Sequence, residues 1–86
     1  MKTDEVIVKD VAGIHARPAS LLVKSAKQFD ADVFLEYDNK KANAKSIMAL
    51  MKLGVKGGEK VKVWAEGADE EIAVSEIVKS ISTNFK

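Results

Sequence analysis

The period of the apolar residues switches several times along this chain between two and about 3.6, and that switching limits the fold more than any other feature. Val6 and Val8 alternate with Ile7 and Lys9, which predicts a half-buried strand ending near Asp10. After a break at Ala12-Gly13 the spacing becomes helical from Ala16 onward, with Ala19, Leu22, Val23, Ala26 and Phe29 on one stripe. Pro18 fits only a first turn, so this helix starts within a few residues of His15. Alternation returns at Val33, Leu35 and Tyr37, and Asp38-Asn39 supplies the left-handed residues of a tight hairpin leading into Lys40 to Asn43. Ser46 caps a short helix from Ile47 to Leu53 that Gly54 stops. A turn at Lys56 to Glu59 opens a third alternating run, Val61, Val63 and Ala65, with Lys60, Lys62 and Trp64 on its other side. Asp69-Glu70-Glu71 then starts a last helix whose stripe is Val74, Ile77, Val78, Ile81 and Phe85. The order is strand, helix, strand, strand, short helix, strand, helix. Its economical arrangement is an α+β two-layer sandwich, one sheet covered by helices on one face.

Eighty-six residues support one domain, expected to span 1–86. With no Cys and one His, zinc-finger, iron–sulfur and disulfide frameworks are excluded. A formal charge of +1 argues against a dedicated binder of nucleic-acid backbones. The longest apolar run, Ile47 to Met51, is five residues, against the roughly 20 that a membrane helix needs. Met1-Lys2-Thr3-Asp4, running into a strand-like stretch, is not expected to be a signal peptide. The expectation is a small cytoplasmic protein without membrane insertion.

His15 falls at a strand-to-helix junction, where unpaired backbone N–H groups and a partial positive charge make an anion site. With Arg17 two residues on, the position suits a phosphate on or near the imidazole, since a guanidinium can meet phosphate oxygens through two parallel hydrogen bonds. Imidazole is a competent nucleophile near neutral pH. On the physics alone, a surface histidine at a helix end is the plainer alternative.

The residues around it carry more. Gly13-Ile14-His15-Ala16-Arg17-Pro18-Ala19-Ser20 resembles the active-site signature of the HPr family, the histidine-containing phosphocarriers of the bacterial phosphoenolpyruvate:sugar phosphotransferase system. Lys45-Ser46-Ile47-Met48-Ala49-Leu50-Met51 resembles that family's regulatory serine segment, and Ala65 to Glu71 resembles its approach to the last helix. The spacing of 31 residues between His15 and Ser46 also fits. The resemblance implies an open-faced sandwich, a four-stranded antiparallel sheet covered on one face by three helices. It implies that His15 takes a phosphoryl group on Nδ1 from phosphorylated Enzyme I and hands it to IIA domains of sugar permeases. Arg17 and the helix start at Ala16 and Pro18 would stabilise the phosphate, with no cofactor and no metal. The protein would be a co-substrate, not an enzyme with its own turnover.

Arg17, Ser20, Lys24 and Lys27 recur at spacings of three and four and share a helix face. An ordinary solvated face is the alternative, but beside a phosphohistidine these groups would steer docking to acidic partners. The short helix is more apolar than one buried face requires, which leaves Ile47, Met48 and Met51 as an adaptable partner-binding patch. Ser46 suits regulatory phosphorylation. In the resembled family a serine kinase/phosphorylase of mainly low-GC Gram-positive bacteria modifies this residue, and the product favours a transcription factor of carbon catabolite control. Ala16 stands where enteric members commonly have Thr, which leans toward the Gram-positive type, and Lys27-Gln28 replaces the more frequent small-residue–Lys order before Phe29. A carrier of the parallel nitrogen-related branch is an alternative within the fold. A different class, nucleic-acid binding through Trp64, Phe34 and the lysines, has the near-neutral charge against it.

Overall fold

The computed structural model describes residues 1–85. Its elements are β1 (Lys2–Ile7), α1 (Ala16–Ala26), β2 (Asp32–Tyr37), β3 (Lys40–Asn43), α2 (Ile47–Lys52), β4 (Lys60–Glu66) and α3 (Glu70–Ser82). The four strands form one antiparallel sheet in the order β1-β4-β2-β3. Because successive side chains in a strand point to opposite faces, Val33, Leu35, Ala42, Val61, Val63 and Ala65 all turn to one side, where they are buried beneath the helices. Leu22 of α1, Leu50 of α2, and Val74, Ile77 and Ile81 of α3 complete that core. Phe34, Glu36, Lys62 and Trp64 occupy the opposite, partly exposed face. This is the expected open-faced two-layer sandwich.

Local chemistry explains several boundaries. Asp38 and Asn39 both adopt positive φ (53° and 63°), as a two-residue hairpin of type I′ requires, and join β2 to β3. The Ser46 hydroxyl accepts the Ala49 N–H at 3.3 Å and caps α2. Gly54, at φ 72°, ends it in the left-handed conformation that costs glycine least.

Other boundaries differ from the pattern. β1 begins at Lys2, because the polar run Lys2 to Glu5 pairs through its backbone with Lys62 to Ala65 of β4. It ends at Ile7, and Val8 stays buried by exchanging backbone bonds with Glu59 and Gly58. α1 stops at Ala26, so Phe29 reaches the core from the following turn. Phe85 is buried, yet not as a turn of α3: Asn84 and Phe85 both have positive φ and fold the chain back after Ser82. Asp69 does more than favour a helix dipole. Its carboxylate accepts the N–H groups of Asp30 (2.9 Å) and Ala31 (2.8 Å), tying the start of α3 to the loop before β2. Those bonds, from Asp30 first and Ala31 next, hold its carboxyl below the usual carboxylate range. No helix among the described residues is long and apolar enough to cross a membrane.

Candidate functional site

His15 is the residue immediately before α1, with extended backbone (φ −97°, ψ −166°), and its carbonyl accepts the Ala19 N–H at 3.0 Å. No side chain caps this helix. The backbone N–H groups of Ala16 and Arg17 belong to the first turn, whose donors have no intrahelical acceptor. Pro18 contributes no donor; its fixed φ suits the first turn, and its buried ring anchors that turn to the core.

The loop ahead of His15 is fixed by a close backbone approach. Gly13 sits at φ 73°, and a Cβ there would lie 2.0 Å from the Val55 carbonyl oxygen. Only glycine fits, and the Ile14 N–H then bonds the same Val55 oxygen at 3.1 Å. Ile14 is buried, so the chain is clamped one residue before His15.

Asp10 is a member of this cluster that the sequence pattern did not single out. Its backbone carbonyl accepts the Gly13 N–H at 2.8 Å and its Oδ1 accepts the Ala12 N–H at 2.9 Å. Its Oδ2 lies 3.3 Å from His15 Nε2 and accepts from Arg17 Nη2 at 3.4 Å. The Ala12 N–H, with His15 and Arg17, holds the Asp10 carboxyl below the usual carboxylate range, so it stands ionised. An ionised carboxylate only accepts, which puts the proton of a neutral His15 ring on Nε2 and leaves the lone pair on Nδ1. The available signal was an acid five residues before a histidine, across a glycine that permits a tight turn.

The remaining candidates lie along α1, at its C-cap and on α2. Arg17, Ser20 and Lys24 are exposed on α1, and Lys27, which the spacing placed on the same helix face, is exposed just past its end as the C-cap. Lys24 also lies in the last turn, where a cation meets the negative end of the helix dipole. On α2, which packs against α1, Ile47, Met48 and Met51 are 41%, 68% and 45% exposed while Leu50 is fully buried. Leu21 of α1 and Val11 beside Asp10 are further exposed apolar side chains. Both lie off the core stripes, which is how they could have been found. Ser46 is half-buried at the head of α2. Trp64 and Phe34 face each other across β4 and β2, but the face is occupied within the chain. Lys41 Nζ lies 4.0 Å from the Trp64 ring centroid, and the indole N–H donates to Glu36 at 2.8 Å.

The family model described as the PTS HPr component phosphorylation site matches residues 2–83. A phosphocarrier protein HPr of Borreliella burgdorferi is 42% identical over 83 residues, covering 96% of each chain. Among solved structures, HPr-C-His from Thermoanaerobacter tengcongensis superposes with a TM-score of 0.94 at 48% identity, covering 99% of this chain and 96% of that one. The phosphocarrier protein HPr of Bacillus anthracis gives 0.88 at 39% identity, covering 93% and 95%.

Proposed function

The chain belongs to the HPr family and is a phosphocarrier of the phosphotransferase system, and we propose that its phosphoryl group is carried on Nδ1 of His15. In this reading phosphorylated Enzyme I, charged by phosphoenolpyruvate, is the donor, and IIA domains of sugar permeases are the acceptors. The chain acts as one domain, 1–86, in the cytoplasm, as a co-substrate that does not turn over by itself. The observation that carries the reading is the pairing of His15 Nε2 with Asp10 at 3.3 Å, while Nδ1 has no protein partner among the described residues. A nucleophile needs that free lone pair.

His15 is 41% exposed at its side chain. An open helix end suits a group passed in both directions, because a closed pocket with many donors would hold the phosphate too tightly to release it. Transfer then depends on alignment and on charge stabilisation within the complex with each partner, which is how phosphoryl transfer generally works. Arg17 and the N–H groups of Ala16 and Arg17 are the donors nearest to hand.

The same reading assigns Ile47, Met48 and Met51 to partner docking, and Ser20, Lys24 and Lys27 to its polar rim. Ser46 is the regulatory site. A phosphoryl group there adds about two negative charges to the head of α2, which the helix dipole tolerates but an acidic partner does not. A serine kinase/phosphorylase would supply it and a catabolite-control transcription factor would read it.

Incubation with Enzyme I and phosphoenolpyruvate, followed by intact mass, tests the central claim. The expected result is one acid-labile, base-stable phosphate that is absent from His15→Ala and is passed on to a IIA domain. A folded protein that gains none from a matched Enzyme I would instead be a binding or regulatory relative.

A further inference from the structure

We propose that Asp10 is the positioning residue of this site: its carboxylate keeps the ring proton of His15 on Nε2, turns the Nδ1 lone pair toward the incoming phosphorus, and holds Arg17 until the phosphoryl group takes it over. The proposal rests on His15 being the acceptor.

Asp10 is built to hold a direction. Its backbone carbonyl and its Oδ1 are both engaged by the turn it starts, through Gly13 and Ala12. That leaves Oδ2 fixed and aimed at the two functional groups. Its side chain is 13% exposed, against 41% for His15 and 57% for Arg17, so the anchor is the most buried of the three.

During transfer the Nδ1 lone pair forms the new N–P bond. The bond between phosphorus and the donor atom breaks, and its electron pair stays with the donor. The Nε2 proton does not leave, so the ring becomes cationic, and the neighbouring carboxylate offsets that charge where it forms. The Arg17 contact is long, single and exposed, hence weak. A phosphoryl group offers a guanidinium two parallel bonds instead of one. Arg17 therefore moves from Asp10 to phosphate at little cost when the group arrives, and returns when it departs.

The test is the order of two variants. In Asp10→Asn the amide oxygen still accepts the Ala12 N–H, so the turn survives, but an NH2 donor now stands where Oδ2 was. It makes Nε2 an acceptor, drives the ring proton to Nδ1 and covers the nucleophile. Asp10→Ala loses the turn contact but leaves the ring free. If Asp10 only braced the loop, Asp10→Ala would be the slower variant; as a positioning residue, Asp10→Asn is.

Initial rates with Enzyme I and phosphoenolpyruvate should fall about three- to tenfold in Asp10→Asn, with Asp10→Ala in between, on the scale of one charged hydrogen bond in an open site. Long-range 15N–1H correlations of the unphosphorylated ring should put the proton on Nε2 in the native protein and shift it toward Nδ1 in Asp10→Asn. Native rates and native ring spectra in Asp10→Asn would overturn the proposal, as would Asp10→Ala being slower with an unchanged ring in both. Should the native protein take no phosphate at all, the acceptor reading fails. The ring spectra then decide Asp10 separately: a displaced proton in Asp10→Asn upholds its hold on the ring, and an unmoved one refutes it.

Discussion

Met48 and Leu50 are two residues apart on α2 and should respond in opposite ways to truncation. Leu50 is fully buried and Met48 is 68% exposed. Leu50→Ala removes methyl groups from a packed core and leaves a cavity, which costs about 2–5 kcal/mol. For a chain of this size each kcal/mol lowers Tm by roughly 4–8 °C, so the melt should fall by about 10 °C or more. Met48→Ala withdraws only the buried third of a side chain whose full burial is worth about 1.5–3 kcal/mol, hence about 0.5–1 kcal/mol, partly returned by the better helix propensity of Ala. Its Tm should therefore drop by no more than about 5 °C. The exposed two thirds are what a partner would cover. Losing them from an interface should cost about 1–2 kcal/mol, or roughly a 5- to 30-fold weaker Kd for Enzyme I. Circular dichroism melts and calorimetric titration with Enzyme I measure both quantities on the same samples. A Met48→Ala protein that melts as low as Leu50→Ala and binds Enzyme I as tightly as the native chain would refute the argument. Exposure of α2 would then be of no consequence and Met48 would be core.

At the head of the same helix, Ser46→Ala loses the 3.3 Å cap to Ala49, so its stability should fall by about 1 kcal/mol. Ser46→Asp keeps an acceptor and adds charge where the dipole favours it, so it should melt no lower than Ser46→Ala while raising the apparent KM for Enzyme I; a Tm below that of Ser46→Ala would contradict the capping argument. Asp69 has a carboxyl lowered from 3.8 in the folded chain, so its stabilisation is present above that value and fades as pH falls through it and then through the folded pKa. Urea midpoints of native and Asp69→Asn proteins should be well separated at pH 7 and converge below pH 4, and a gap constant from pH 7 to 3 would exclude the carboxylate as its source. Reversing Lys24 and Lys27 to Glu together should raise the apparent KM for Enzyme I at low salt, with the difference shrinking as salt is added. An unchanged KM at low salt would leave these lysines as an ordinary solvated face.

What was legible in the sequence shares a property: it depends on residues close together in the chain. Asp38-Asn39 contains its own turn, Ser46 finds its partner three residues on, and Gly54 ends α2 by its own conformation. The alternation that sets Val33 and Leu35, and Val61 and Val63, on one face needed only a sheet with one buried side. His15 and Arg17 could be singled out as candidates because residue type and spacing at a helix start suit an anion locally, and Ser46 as a cap because its partner lies three residues on. The outward turn of Met48 and Met51 was legible too, as an excess of apolar residues over what one helix face can bury.

Tertiary structure decided the rest, wherever a partner came from far along the chain or from a backbone path that no side-chain pattern reports. The polar run Lys2 to Glu5 is a strand because β4 offers it hydrogen bonds, not because its side chains alternate. The order β1-β4-β2-β3 sets the last strand between the first two, and hydrophobic alternation is the same for any order. Asp69 meets Asp30 and Ala31 nearly forty residues away. Asp10 is only five residues from His15, yet their contact exists because Gly13 can lie against the Val55 carbonyl and fold the loop back. Sequence alone determined which groups can do the chemistry, since that follows from composition and local spacing. That the Asp10 carboxylate meets the His15 ring at Nε2 was decided by the tertiary structure, through the packing of a distant backbone against one glycine, because that contact folds the loop back.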